Sequence, residues 1–174
     1  MQKVDAESQT DTLTVVRYEE LADVACSITR PLVVLGDRWT FLLVKQAFAG
    51  TTRYEDFLES LGIPRGRLAD RLDRLVDEGI LRREPYKAAN SRTRDAYRLT
   101  DKGLALYPVL MALRDWGDTY MAPDGPPVHY RHRGCGGEAH IRLECDTCHE
   151  ELTARDVAPE AGPGMTALAQ TSSP

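Results

Sequence analysis

"GIPRGRLADRLDRLVDEGIL", residues 62–81, decides the fold that we expect for this chain. At about 100° per residue in a helix, its leucines fall on one face, its arginines on a second and its aspartates on a third. A helix that needs only solubility more often mixes its charges to gain i,i+4 pairs. The sorted pattern therefore predicts a buried leucine face and an arginine face, formed by Arg67, Arg71 and Arg74, that is free to meet an anion.

Positive charge is concentrated in one part of an acidic chain. The 174 residues have a formal net charge of −5, yet residues 64–94 hold nine basic and five acidic side chains. Such a patch attracts phosphate, while the acidic remainder discourages indiscriminate binding. On charge alone, a solvated surface helix is an equal alternative. The basic residues are Arg65, Arg67, Arg71, Arg74, Arg82, Arg83, Lys87, Arg92 and Arg94.

The neighbouring segments predict a winged helix-turn-helix. An apolar helix is expected at 38–50 and a short amphipathic helix at 53–62. Two helices joined by a short turn, the second with a basic face, form the helix-turn-helix motif, whose second helix enters the major groove N-terminus first. Residues 80–87 and 93–100 then have the pattern of two strands separated by a polar turn. This hairpin is the predicted wing.

Residues 101–121 return to a helical pattern with one apolar stripe. Pro108 either bends this helix or starts its main part. The stripe can belong to the core of the subunit, but a terminal helix this apolar equally favours packing against a second subunit. Its members are Leu106, Val109, Leu110, Leu113, Trp116 and Tyr120.

Short motifs occur in a fixed order between about residues 24 and 120. They are Cys26 before an apolar helix, Gly-x-x-Trp-Thr at 36–40, Leu-x-x-Arg-Leu at 68–72, Glu-Gly-Ile-Leu at 78–81 and Tyr-x-Leu-Thr-x-x-Gly at 97–103. On these motifs the chain resembles the HxlR-type transcriptional regulators, winged helix-turn-helix proteins of bacteria. The resemblance implies a homodimer with N- and C-terminal helices at its interface, and a recognition helix at residues 64–78.

The basic residues have two expected roles on double-stranded DNA. Arg65, Arg67 and Arg71, at the leading end of the recognition helix, are expected to reach base edges. There a bidentate arginine on guanine contributes about 1–3 kcal/mol of discrimination. The others are expected to hold phosphate and to position the helix without reading sequence. These are Arg74, Lys87, Arg92 and Arg94.

Cys26 lies at the predicted start of a helix that runs to Leu35. A helix N-terminus lowers a thiol pKa and favours the reactive thiolate, and Arg30 follows one turn later. The resemblance implies a sensor of oxidants or electrophiles, because a cysteine at the corresponding place has this role in some members. The alternative is a small buried residue with no chemical role. The effector itself, an oxidant or another small molecule, is not identified by the sequence.

Two ligand pairs near the C-terminus predict a structural zinc site. His132-x2-Cys135 is followed, after nine residues, by Cys145-x2-Cys148. The x2 spacing lets both side chains of a pair converge on one tetrahedral ion at about 2.0–2.3 Å. We therefore expect a zinc-ribbon-like module at 128–154, with a metal-free hairpin as the alternative. Other histidines that can replace His132 are His129, His140 and His149.

The predicted fold class is mainly α with a small β-hairpin wing, plus the zinc-ribbon-like hairpin. Residues 1–14 are expected to form a disordered arm and 15–121 the winged domain that binds DNA and dimerises. Module 128–154 follows, and then a flexible tail at 155–174 that is rich in alanine, proline and glycine. No internal repeat is evident in the sequence.

Several classes of function are disfavoured. No run of about 18 apolar residues exists to span a bilayer, and the first 25 residues lack the features of a signal peptide, so we expect a cytoplasmic protein. An enzyme is not expected, because no nucleophile–base pair, phosphate-binding loop or group of catalytic carboxylates is evident. The favoured function is a dimeric DNA-binding transcriptional regulator. The alternative is a zinc-stabilised protein-interaction module that uses its winged helix for dimerisation.

Overall fold

The computed structural model describes residues 26–87 and 93–164, and these form six helices and one two-stranded hairpin. The predicted N-terminal arm, the tip of the wing with Arg92, and the last ten residues of the tail lie outside this part of the chain. The elements are α1 Thr29–Leu35, α2 Arg38–Phe48, α3 Tyr54–Leu61, α4 Arg65–Asp77, β1 Leu81–Lys87, β2 Thr93–Leu99, α5 Asp101–Leu104 and α6 Tyr107–Tyr120.

The core forms around the leucine face of α4. Leu68, Leu72 and Leu75 are fully buried, and they belong to one cluster with Leu43 of α2 and Phe57 of α3. Burying a leucine side chain contributes about 1.5–3 kcal/mol, so this face fixes α4 against the preceding helices. The apolar face predicted from the sequence pattern is confirmed.

A tight turn joins α3 to α4. Gly62 ends α3 with a φ of 59°, a left-handed conformation that favours glycine. Ile63 then enters the core with 2% of its surface exposed, and Pro64 precedes the first residue of α4. The short connection predicted for a helix-turn-helix is therefore present.

The wing is fixed to the helices at its base. Its strands are antiparallel, with a register that runs from Leu81 opposite Leu99 to Lys87 opposite Thr93. The segment before α3 lies beside β2, because the Tyr97 N–H donates to the carbonyl of Thr52 at 2.7 Å. The predicted hairpin is thus confirmed over its described residues.

The helical segment after the wing is divided in two. Pro108 lies in the first turn of α6, so it starts the main helix rather than bending a longer one. The short α5 packs closely against the base of the wing, since a Cβ on Gly103 would lie 2.2 Å from the carbonyl oxygen of Ile80. Thr100 accepts a hydrogen bond from the Gly103 N–H and donates one to the carbonyl of Gly79.

The C-terminal part contains a structural repeat that the sequence analysis missed. Residues 130–139, the first hairpin, and residues 143–152, the second hairpin, have the same backbone hydrogen bonds, displaced by thirteen residues. The repeat preserves the bonds and the ligand spacing but few side chains, so it is hidden in the sequence. The bonds are Ala139 N to Tyr130 O, His132 N to Gly137 O and Gly136 N to His132 O, then Leu152 N to Leu143 O, Cys145 N to Glu150 O and His149 N to Cys145 O.

Candidate DNA-binding interface

The first turn of α4 projects into solvent. Arg65, Gly66 and Arg67 are all exposed, whereas the next residue, Leu68, is fully buried. The rest of the helix is held by its leucine face, so the N-terminal turn is the part that a ligand can reach. This is the end of a recognition helix that contacts base edges in the major groove.

Arg65 is attached to α3 by two contacts. Its guanidinium lies 3.2 and 3.3 Å from the two carboxylate oxygens of Glu55, and its carbonyl accepts a 2.8 Å hydrogen bond from the hydroxyl of Tyr54. Both charged side chains are more than half exposed, so this ion pair is weak in water. An anion at the start of α4 can therefore compete with Glu55 for Arg65.

Arg67 is the unengaged arginine of this turn. Its neighbours Arg65 and Arg71 are paired with Glu55 and Asp37. The Arg67 side chain makes no hydrogen bond or ion pair with residues 26–87 or 93–164. An exposed guanidinium with no partner in the described chain is the group best placed to meet an external anion.

Arg71 and Arg74 are engaged within the subunit, which differs from the free arginine face that the sequence predicts. The Arg71 Nε lies 3.1 Å from Asp37 Oδ1, and the Arg74 guanidinium donates to the carbonyl of Val33 at 2.6 Å. Both arginines are half-buried. Their predicted contacts with DNA stay predictions, and their observed contacts are with the subunit itself.

The cause is the packing of α1 and of the α1–α2 junction over the rear of α4. Positions 67, 71 and 74 share a face, as the helical period requires. That face is covered along its length from Arg71 onward, because Val33 lies in α1 and Asp37 begins α2. Only the turn with Arg67 stays open. Helix periodicity identifies a face but not which part of it another helix covers.

Asp37 serves two structural purposes. It caps α2 by accepting hydrogen bonds from the backbone N–H groups of Trp39 and Thr40 at 3.0 and 3.2 Å. The hydrogen bond from Arg71, with smaller contributions from these N–H groups, holds the pKa of the Asp37 carboxyl below its ordinary value. One carboxylate thus joins the start of α2 to the middle of the recognition helix.

Two of the wing residues that are predicted to contact phosphate are exposed. Lys87 and Arg94 are exposed near the outer end of the hairpin, while the third, Arg92, lies outside the described residues. Other wing arginines have acidic partners. Arg98 lies 2.8 Å from Glu84, and Arg83 lies 2.5 Å from Asp73 of α4. Paired charges at the base reduce the positive potential there, so Lys87 and Arg94 are the described wing cations that face outward.

The structure adds one basic residue to the candidates. Arg53, just before α3, is exposed, and its guanidinium lies 5.1 Å from the ring centre of Tyr86 in the wing. A groove between the start of α3 and the wing is lined by Tyr54, Tyr86 and Arg94. Sequence reasoning missed Arg53 because its position beside the wing depends on the pairing of residues 52–53 with β2.

Cys26 lies just before α1 and is partly exposed. Hydrogen bonds from the Thr29 side chain, and then from the backbone N–H groups of Thr29 and Ile28, lower the pKa of its thiol. All four cysteines of the described residues are free thiols. The expected proximity to a helix start is confirmed, whereas a sensing role stays a prediction.

The residues predicted to bind zinc lie at the turns of the two hairpins. His132 Nδ1 is 3.2 Å from Cys135 Sγ in the first hairpin, and Cys145 and Cys148 occupy the equivalent positions of the second. Within the described ranges, no group of three histidine, cysteine or acidic side chains is arranged to hold one metal ion. The structure therefore brings each pair together but does not show a four-ligand site.

Large apolar side chains are exposed on α6 and at α1. Met111 is the residue of α6 that enters the core, with 2% of its surface exposed. Most of the predicted apolar stripe instead faces solvent. The exposed large apolar side chains of the two helices and their ends are Ile28, Leu32, Tyr107, Val109, Leu113, Trp116, Tyr120 and Met121.

Comparison with known proteins assigns this architecture. A model of the HxlR-like helix-turn-helix family matches residues 34–125, which include α2 to α6. The chain belongs to the HxlR-like helix-turn-helix family. An uncharacterized HTH-type transcriptional regulator of Mycobacterium tuberculosis is 44% identical to it over 147 residues, which cover 84% of this chain and 92% of the relative.

Solved structures agree with this assignment of the HxlR-like regulator. The structure of PA1607, provisionally assigned as a transcription factor, matches with a TM-score of 0.73 and 36% identity over 81% of this chain and 98% of that one. The structure of PA1374 of Pseudomonas aeruginosa, with the same provisional assignment, matches with a TM-score of 0.56 and 31% identity. This match covers 79% of this chain and 93% of that one. The chain is a helix-turn-helix transcriptional regulator, a class that binds DNA and is not enzymatic. This assignment favours the regulator over the alternative of a protein-interaction module.

None of the helices in the described ranges has the length and apolar composition needed to cross a membrane. The longest, α6, has 14 residues. A membrane-spanning helix needs about 20.

We predict that two substitutions of Asp37 separate its two structural purposes. Asp37→Asn keeps a capping oxygen but loses the charge opposite Arg71, so at neutral pH it should cost at most about 1 kcal/mol of unfolding free energy. Asp37→Ala also removes the cap and should cost a further 0.5–2 kcal/mol or so. Urea unfolding of both variants and the wild type measures these differences.

The pH dependence provides the control. The folded pKa of Asp37 is depressed, so the ion pair stabilises the protein above the unfolded pKa of about 3.9. That stability is lost as the pH falls through the folded value. The difference between wild type and Asp37→Asn should therefore shrink in acid. A difference that stays constant even at pH values below the folded pKa of Asp37 would show that its charge adds no stability.

Proposed function

We propose that this regulator binds an inverted-repeat operator as a homodimer, with the first turn of α4 in the major groove of each half-site. The observation that supports this most strongly is the open N-terminal turn of α4, with Arg65 and Arg67 exposed above a fully buried Leu68. Two-fold symmetric proteins read two-fold symmetric sites, with half-site centres about one helical turn of DNA, or a small multiple, apart.

Arg67 is the proposed principal reader of bases. Its side chain is exposed. The neighbouring arginines, Arg65 and Arg71, are already paired with carboxylates of the subunit. Arg65 can join it when DNA displaces Glu55, since their ion pair is exposed. Arg71 and Arg74, which the sequence analysis placed on the DNA, are here proposed to orient α4 through Asp37 and Val33.

The wing is proposed to hold the phosphate backbone. Lys87 and Arg94 are exposed on the described strands, and Arg92 has this role on sequence grounds. Arg53 lies on the same side of the molecule, over the ring of Tyr86 in the wing. Contacts of this kind set the register of a protein on the duplex and release counterions, so they supply affinity that depends on salt.

The homodimer is proposed to form through the exposed apolar surface of α1 and α6. Leu113 is 53% exposed and Trp116 is 54% exposed, on a helix whose inward contact is Met111. Large contiguous apolar patches on a soluble protein mark interaction sites. A second copy of the same surface is the proposed partner, because a two-fold interface places both recognition helices on one side of the DNA.

Cys26 is proposed to make DNA binding responsive to oxidants or electrophiles. Its thiol is partly exposed, and hydrogen bonds led by that from Thr29 lower its pKa. A lower pKa increases the fraction of the nucleophilic thiolate. It lies close to Ile28, an exposed residue of the proposed dimer surface, so modification there would act on the arrangement of the two subunits.

The central prediction concerns Arg67 and Arg94. With an operator selected from random duplexes by the wild type, Arg67→Ala should weaken binding by about 1–3 kcal/mol and relax the preference at particular positions. Arg94→Ala should weaken binding to all duplexes and reduce the salt slope by about one. Titrations against specific and random duplexes at several salt concentrations distinguish the two effects.

Arg155→Ala serves as the matched control, because Arg155 is exposed in the C-terminal part of the chain and should leave binding unchanged. If Arg67→Ala binds the selected operator as tightly as wild type, α4 is not the element that reads its sequence.

A second prediction tests the dimer. Trp116→Glu and Leu113→Glu should each yield monomers in sedimentation analysis, because a charge in an apolar interface loses its hydration. Both should also lose the preference for an inverted repeat over a single half-site. Val157→Glu changes an apolar residue of similar exposure, 51%, outside the surface, and should remain dimeric. A wild-type monomer bound to its operator would refute the two-fold arrangement.

A third prediction concerns Cys26. Oxidant should weaken operator binding reversibly, and Cys26→Ser should bind like reduced wild type whether or not oxidant is present. The cysteines of the two hairpins are competing targets, so the informative comparison is oxidised Cys26→Ser against oxidised wild type in a binding titration. An equal loss of binding in both would assign the response to the hairpin cysteines.

A further inference from the structure

The two C-terminal hairpins present their ligand pairs on the same kind of turn. In each turn, the N–H of the residue after the second ligand donates to the carbonyl of the first ligand, as in Gly136 to His132 at 2.8 Å. That residue is left-handed in both turns, with φ of 75° at Gly136 and 60° at His149. A left-handed non-glycine residue is uncommon, so the second turn adopts the same backbone although its sequence does not favour it.

This turn brings the two side chains of each pair together. In the first hairpin, His132 Nδ1 lies 3.2 Å from Cys135 Sγ. In the second, Cys145 and Cys148 occupy the equivalent positions of the same turn, and the Cys148 thiol donates to the carboxylate of Glu150 at 3.8 Å.

The structure also distinguishes His132 from His129 and His149. His132 is the one whose ring nitrogen faces a cysteine sulfur. His129 lies 3.1 Å from the carboxylate of Glu138, and His149 lies 2.7 Å from that of Glu144. His132 is also the residue of the first turn that is equivalent to Cys145 in the second. It therefore has the position of a ligand in the turn as well as the spacing of one.

The hairpins have no other source of stability of the usual kind. No residue of 128–154 is buried, and Cys135, Cys145 and Cys148 are all free thiols. Units this small, with neither a core nor a disulfide, are usually held together by a metal ion. Surface hydrogen bonds and ion pairs hold the hairpins, and a metal ion would add the crosslink that units of this kind usually have.

We propose that one zinc ion binds His132, Cys135, Cys145 and Cys148 and joins the two hairpins. The ion replaces the three thiol protons, which pass to solvent, and it takes the neutral imidazole as its fourth ligand. A closed set of four ligands leaves no position for substrate, so the site is structural. The two pairs are separate within the described residues, and zinc binding draws them onto one ion.

The site is attached to α6. The Arg114 guanidinium donates to the carbonyl of Ala139 at 2.5 Å, at the end of the first hairpin. Asp115 accepts a 2.9 Å hydrogen bond from the N–H of Ile141, between the hairpins. The segment that connects the two ligand pairs is thus held on the helix that carries the proposed dimer surface, which gives a structural zinc ion a defined place in the subunit.

The test uses the full-length protein, made without an affinity tag and purified without chelators. Elemental analysis should find about one zinc ion per subunit that survives dialysis. His132→Asn, Cys135→Ser and Cys148→Ser should each lower the zinc content at least about twofold, because a tetrahedral site loses one of its four ligands. The matched controls His129→Asn and Cys26→Ser should keep the wild-type content.

A second measurement does not depend on the folding of the variants. Wild-type protein stripped of metal and given Co²⁺ should show the absorption bands of a tetrahedral cobalt site with thiolate ligands, and added zinc should remove them. Three results would overturn the proposal. They are zinc content near zero with no cobalt spectrum, zinc that is lost on dialysis as an adventitious ion only, and variants of the three substituted ligands that retain as much zinc as the controls.

Discussion

The burial of Leu68, Leu72 and Leu75 is the constraint on which the rest of the structure depends. Each is fully buried, and together they fix the rotation of α4 about its own axis. Once that rotation is set, the arginine face has one direction, and the turn with Arg67 stands clear of the protein. The core therefore sets the direction of the exposed N-terminal turn, and the contacts of Arg71 with Asp37 and of Arg74 with Val33 add to that orientation.

Charge within this subunit is largely balanced by contacts, and this limits where DNA can bind. Of the basic residues in the patch, Arg65, Arg71 and Arg83 have carboxylate partners and Arg74 has a carbonyl. Pairing lowers the potential over the body of the helix and leaves it at the exposed first turn and the outer wing. An acidic protein with a small open basic surface gains specificity, because random phosphate contacts are few.

The sequence was sufficient for the elements and their buried faces, and insufficient for contacts between elements. The spacing of apolar residues and the turn residues predicted α4, its leucine face and the wing, since these features depend on residues close in sequence. The engagement of Arg71 by Asp37 was not predictable, because it joins residues 34 positions apart. The same holds for Arg53 beside Tyr86. Neither pair leaves a periodic signal, and each depends on how helices and strands pack.

The hairpin repeat shows the opposite limit. The residues predicted to bind zinc were found by their spacing alone. The repeat was not found, because the equivalence of positions thirteen residues apart lies in backbone hydrogen bonds and not in side chains. Gly136 and His149 occupy the same left-handed place, and glycine predicts that conformation while histidine does not. The turn at His149 is determined by its hydrogen bonds with the rest of the hairpin, so only the structure reveals that the two ligand pairs are equivalent.

Helix α6 contacts the first hairpin through a half-buried charge. The Arg114 side chain is 12% exposed and lies near Asp115, Asp118 and Glu138. Removing Glu138 would leave Arg114 with Asp115 and Asp118 as its carboxylate neighbours and would lose the ion pair that reaches the first hairpin. Glu138 belongs to the first hairpin, so the position of that hairpin and the charge balance of α6 depend on each other. A displacement of the hairpins would therefore act on the helix whose outer face carries Leu113 and Trp116, and through it on any second subunit bound there.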